Sequence, residues 1–119
     1  MRAARGAIVV AGRTADSLMV ATQRLLGAML ERNAVDRDDL ISILFTATED
    51  LRSAFPAEAA RRMGLGRVPL MCASEIPVEG SMPSVVRVLM HFHSEAGIDQ
   101  IAHVYLDGAE SLRDDLEAR

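Results

Sequence analysis

The chain has 119 residues, half of them hydrophobic but only 3% aromatic, with a formal net charge of -4. That length fits one domain, residues 1–119, whose core must be built from Ala, Val, Leu, Ile and Met. The acidic balance argues against a general nucleic-acid surface, and no stretch approaches the roughly 20 apolar residues of a membrane span.

Residues 5–11 read as a first strand, with β-branched residues after a glycine. The run from Met1 to Val10 is too short for a leader, and Gly12-Arg13 interrupts it. Thr14 or Asp16 caps a helix in which Leu18, Thr22, Leu25 and Met29 recur at helical spacing, ending near Asn33. Leu40 to Thr46 is a second strand, nearly continuous in apolar residues and so expected to be buried on both faces. Phe55-Pro56 begins a short helix that runs through Arg62 and stops at Gly64-Leu65-Gly66. Val68 to Ala73 is a third strand, and Pro77 to Pro83 a turn region. Val85 to His93 is the fourth and longest strand, Ile101 to Leu106 the fifth, and the charged residues 113–119 form a frayed tail.

The order β, long α, β, short α, β, β, β predicts an α+β fold. It has a five-stranded mixed sheet with one long and one short helix on one face. The opposite face also reads as apolar, which points to an oligomer that covers it.

Arg87 stands out inside the apolar run Val85-Val86-Arg87-Val88-Leu89-Met90. A guanidinium keeps its charge there, and burying it unpaired costs several kcal/mol. Either an anion meets it in a cavity, or a carboxylate of the fold pairs with it. Glu75, just past the third strand, becomes a polar handle in such a cavity if it lies on a strand neighbouring that of Arg87. Taken singly, Arg5 reads as a surface arginine, and Tyr105, the only tyrosine, as a packing residue with one wet end.

Cys72 is the only cysteine, so no internal disulfide forms, and a reducing, cytoplasmic setting is expected. As a strand residue it reads as a small buried hydrophobe rather than a nucleophile. His91 and His93 point to one side of their strand, but a metal would need a third ligand such as His103 or Glu95. They read as surface or interface histidines, and no metal site is predicted. Gly64-Leu65-Gly66-Arg67 reads as a helix stop, not a phosphate loop.

Together these residues resemble the monofunctional chorismate mutases of the trimeric α+β type. The anchors are Arg5-Gly6-Ala7, Ala47-Thr48 with Asp50-Leu51, Phe55-Pro56-Ala57 with Arg61, and Val68-Pro69 leading to Cys72 and Glu75. Arg87-Val88, His103-Val104-Tyr105-Leu106 and Leu112-Arg113 complete them. The resemblance implies a homotrimer forming a pseudo-α/β barrel, with sites in clefts between subunits. It also implies an isomerase that converts chorismate to prephenate in aromatic amino-acid biosynthesis, on the shikimate pathway, without cofactor or metal.

By the same resemblance, Arg87 meets the ether oxygen and a carboxylate, and Arg5 and Tyr105 hold the substrate's carboxylates. Glu75, with the backbone or thiol of Cys72, receives and orients the ring hydroxyl. Met71, Cys72, Ala73, Ser74 and Glu75 line the pocket. Phe55, Ala57 and Leu112 form apolar walls, and Arg61 and Arg113 add positive charge at the mouth. Glu58 stands where many relatives carry a lysine, and Met71 where a threonine is common. The competing readings are an imine deaminase-like trimer and a non-catalytic small-molecule-binding trimer of the same fold.

Overall fold

Thr14 starts the long helix α1 (Ala15–Arg32) with a reciprocal cap. The Ser17 backbone N–H donates to Thr14 Oγ1 at 3.1 Å, and the Thr14 N–H donates to Ser17 Oγ at 3.0 Å. Leu18, Met19, Ala21, Thr22, Leu25, Leu26 and Met29 form its buried stripe. Asn33 ends it and ties it down. Its side-chain amide donates to the carbonyls of Met29 and Ala102, both at 2.9 Å, and its Oδ1 accepts from the Ala102 N–H at 2.8 Å.

The computed structural model describes residues 1–113. Besides α1 it contains β1 (Arg2–Val9), β2 (Leu40–Ala47), α2 (Ala57–Arg62), β3 (Leu70–Ser74), β4 (Val85–Phe92) and β5 (Val104–Leu106), with short 3-10 turns between. The sheet order is β3-β2-β4-β1-β5. β4 lies at its centre, antiparallel to both β1 and β2, while the outer pairs β2/β3 and β1/β5 are parallel. The sheet is therefore mixed, as the element order predicted. α1 packs on β1 and β5, α2 on β3 and α1. Among the described residues no helix is long and apolar enough to cross a membrane.

Alternation along the strands separates two faces. Ala4, Ile8, Ile43, Phe45, Val86, Val88, Met90 and Phe92 are buried in the cluster that also contains the α1 stripe. Gly6 belongs to that face, where a Cβ would stand 2.5 Å from Met29 Sδ and 3.1 Å from Leu25 Cδ1. Glycine thus lets α1 settle onto β1 beside Arg5. The opposite face carries Arg5, Ala7, Leu44, Thr46, Arg87, Leu89 and Tyr105. Ala7, Val85 and Ala109 form a second small core there, with Tyr105 and Leu112 against it.

Several expectations need correction. β2 is not buried on both faces in the single chain, because Ile43 and Phe45 are covered by the helices while Leu44 is 37% exposed. β1 starts at Arg2, since β4 pairs with it from Phe92 onward. β3 starts at Leu70, because Pro69 lacks an N–H and offers only its carbonyl, to Ile43. β5 is shorter than predicted, because Ala102 is held by Asn33 rather than by the sheet. Arg113 is the last residue of the 3-10 turn Ala109–Arg113, and the rest of the tail expected to fray lies outside the described residues.

The start of β4 has its own lock. Ser84 adopts a left-handed conformation (φ 59°), uncommon for a residue with a side chain. Its N–H and hydroxyl both donate to Asp50 Oδ2 at 3.0 Å, and the next N–H, of Val85, donates to Thr48 Oγ1 at 3.0 Å. Burial pushes the Asp50 carboxyl up, but the hydrogen bonds from Thr48, Ser84 and its own backbone, with Arg13 nearby, outweigh it. The net shift is below the ordinary aspartate value. Asp50 therefore supports the fold above the ordinary aspartate range, and that support is lost as the pH falls through its lowered value.

Candidate active site

Glu75 is the first residue past β3, and its N–H extends the β2 pairing by donating to the Ala47 carbonyl at 3.0 Å. Its carboxylate crosses the face of β2. Thr46 Oγ1 donates to Oε2 at 2.7 Å, and Arg87 Nε lies 3.2 and 3.1 Å from the two carboxylate oxygens. The sequence made Glu75 a polar handle on condition that its strand neighboured that of Arg87; the two do meet, although β2 lies between β3 and β4. Thr46 fills that gap and was not singled out from the sequence.

The Arg87 side chain is also more open than its apolar run implied, at 44% exposed against 16% for Glu75. Alternation explains this, since Val86 and Val88 point to the helices and Arg87 to the outer face. Both readings of Arg87 hold in part. A carboxylate of the fold engages it, and a cavity adjoins it. Only Nε is used, and among the described residues the two terminal nitrogens make no protein hydrogen bond.

That cavity has a volume of about 370 Å³ and is lined by Arg5, Thr46, Arg87, Leu89, Tyr105 and Leu112, with Ala7 and Leu44 in its floor. Register explains the grouping. Ala7 on β1 faces Arg87 on one side and Tyr105 on the other, and Arg5 is the next outer-face residue along β1. The small Ala7 leaves the space that the longer neighbours surround. Arg5 is held through its backbone, its N–H donating to His103 Nδ1 at 3.0 Å. Its side chain makes no ion pair among the described residues.

The remaining expected pocket residues gather elsewhere. Cys72 pairs with Phe45 and so points to the helix side, where its half-buried Sγ accepts a hydrogen bond from the Ala57 N–H at 3.4 Å. Phe55, Cys72, Ala73 and Ser74, with Arg52, border a second cavity of about 580 Å³. Phe55 is 72% exposed there, whereas Ala57, the first residue of α2, is buried and forms no wall of either cavity. Met71 lies exposed on the outer face, and Arg61 sits on α2, paired with Glu58 at 3.2 Å. Of the segment Met71 to Glu75, Cys72, Ala73 and Ser74 thus border this second cavity, while Met71 and Glu75 lie outside it.

A third hollow, of about 330 Å³, is bordered by Glu75 together with Glu49, Asp50 and Glu79. Its acidic rim repels anions, while the Arg5–Arg87 cavity attracts them. Glu75 thus marks the border between the two.

His91 Nδ1 lies 3.2 Å from Ser42 Oγ, and among the described residues no group of three metal-binding side chains occurs. The side chain of Arg113 lies outside the described residues.

A family model described as chorismate mutase type I matches residues 1–116. The chain is 49% identical over 119 residues to the chorismate mutase AroH of Thermus thermophilus, covering 99% of this chain and 98% of that one. It is 37% identical over 117 residues to the AroH of Bacillus subtilis, covering 98% and 92% respectively. A solved chorismate mutase structure from Clostridium thermocellum matches with a TM-score of 0.91 at 48% identity, over 93% of this chain and 99% of that chain.

Proposed function

Because the chain belongs to the chorismate mutase type I family, we propose that its arginine cavity rearranges chorismate to prephenate by restraint and fixed charge alone. Chorismate is a dianion with an enolpyruvyl ether. In its Claisen rearrangement one C–O bond breaks while a C–C bond forms. No proton moves, and no covalent intermediate, metal or cofactor takes part. The protein must hold the side chain over the ring and stabilise the charge that grows on the ether oxygen.

The half-used guanidinium of Arg87 carries this reading. Its Nε is anchored, and its two terminal nitrogens remain for the ether oxygen and an adjacent carboxylate. Arg5 and Tyr105, across Ala7, hold the carboxylates. Glu75 accepts the ring hydroxyl. Cys72 takes no part through its thiol, which is engaged with α2.

Within one chain the cavity is undersupplied with charge. Arg5 and Arg87 against Glu75 leave one net positive charge for a substrate with two negative ones. The exposed Phe55 and the nearby Arg61 lie at the α2/β3 corner instead. We therefore read the assembly as a homotrimer in which that corner of one protomer closes the arginine cavity of the next. A solution mass of three 12.9 kDa chains is expected by sedimentation or light scattering; a monomer at working concentration rejects this assembly. A cytoplasmic location completes the reading.

The direct test is to add chorismate and follow the loss of its absorbance. Turnover separates this reading from a non-catalytic binding module, and family membership sets aside the imine deaminase. Because no general acid or base acts, kcat should be nearly flat from about pH 6 to 9. A bell centred near neutrality overturns the mechanism in favour of histidine or cysteine chemistry.

A further inference from the structure

We propose that Thr46 is a positioning residue for this reaction, holding Glu75 across the sheet so that Arg87 presents its free edge to the cavity. The inference rests on the roles given above to Arg87 and Glu75.

The geometry sets the need. Glu75 follows β3 and Arg87 lies on β4, two strand spacings apart, or roughly 10 Å. A glutamate reaching that far has several rotamers, and its mostly covered carboxylate needs a polar partner along the way to select one. Thr46 is the β2 residue in register with Arg87 itself on β4, and its partner on β3 is Ala73, two residues before Glu75. Ala73 precedes Glu75 on the same face and is small enough to let the glutamate fold over it. Thr46 is β-branched and therefore stiff about χ1.

Its hydroxyl donates to Glu75 Oε2 at 2.7 Å, on the same oxygen that lies 3.1 Å from Arg87 Nε. The carboxylate is thereby fixed from two sides, and the guanidinium plane is fixed through it. Thr46 also lines the arginine cavity, so the relay lies within the site rather than beneath it. Losing the hydroxyl leaves every charge in place but lets Glu75 swing, and the terminal nitrogens of Arg87 swing with it. Transition-state contacts of this kind are sensitive to such small misplacements.

The test is a double-mutant cycle. Thr46→Val keeps the shape and removes the donor. It should lower kcat by about tenfold, the factor that a hydrogen bond to a charged partner carries at the low end of its range, with KM changed far less. Thr46→Ser, which restores the hydroxyl, should recover most of the loss. In a Glu75→Ala background, Thr46→Val should cost nothing further, because the hydroxyl acts only through that carboxylate. If Thr46→Val is unstable, Thr46→Ala carries the same comparison. An undiminished kcat in Thr46→Val, or equal losses with and without Glu75, overturns the role of Thr46. If Arg87→Ala retains full activity, the reading of the cavity fails first, whatever Thr46 does.

Discussion

Arg87→Ala should lower kcat by a hundred- to a thousandfold or more while changing KM far less. Removing one hydrogen-bond donor to a developing oxyanion costs about 3–4 kcal/mol of barrier, and Arg87 supplies two donors with a full charge. The contact strengthens as the ether bond breaks, so its loss falls on the transition state and not on binding. Arg5 and Tyr105 remain to hold the substrate. The variant should fold, because the side chain is 44% exposed and its removal leaves no hole in the core. Steady-state kinetics on chorismate, with a thermal melt as control, checks the outcome. A kcat within a few-fold of the parent means that the ether oxygen is stabilised elsewhere.

Phe45→Ala should do the reverse, sparing the chemistry and undermining the fold. Phe45 is 1% exposed and flanked in register by Cys72 on β3 and Val88 on β4, beneath the helices. Truncating a buried phenylalanine costs about 3–5 kcal/mol, since the vacated space only partly collapses. The denaturant midpoint should fall by the corresponding amount with an unchanged slope. Its neighbours Leu44 and Thr46 face the arginine cavity, so the fraction that remains folded should keep a kcat within a few-fold of the parent. A stability loss below about 1 kcal/mol would show that the core behind the site repacks freely around the missing ring.

The elements themselves were legible because they rest on local rules. Thr14, the apolar spacing of Leu18, Leu25 and Met29, and the run around Arg87 locate α1 and β4 within a residue or two. Strand order is a different matter. Nothing local to Leu40–Ala47 says that it runs between β3 and β4, so the route from Glu75 to Arg87 over Thr46 was hidden. Strand parity was equally hidden. One residue separates Met71, on the outer face, from Cys72, on the helix side, and only pairing with Leu44 and Phe45 decides which is which. Asp50 and Thr48 stood out by resemblance, without a role. Their task is to hold the left-handed Ser84 at the head of β4, a contact between positions far apart in the chain. A signal was available in the short polar side chains Thr48 and Asp50 just after β2 and Ser84 just before β4, but their meeting depends on the sheet.

The way Arg87 divides its nitrogens has a consequence for how this chain can drift. One nitrogen is spent on Glu75 and two are kept in reserve. A lysine carries a single nitrogen and would have to abandon either its tether or its quarry. The commonest charge-preserving exchange is therefore closed at position 87 of this lysine-free chain.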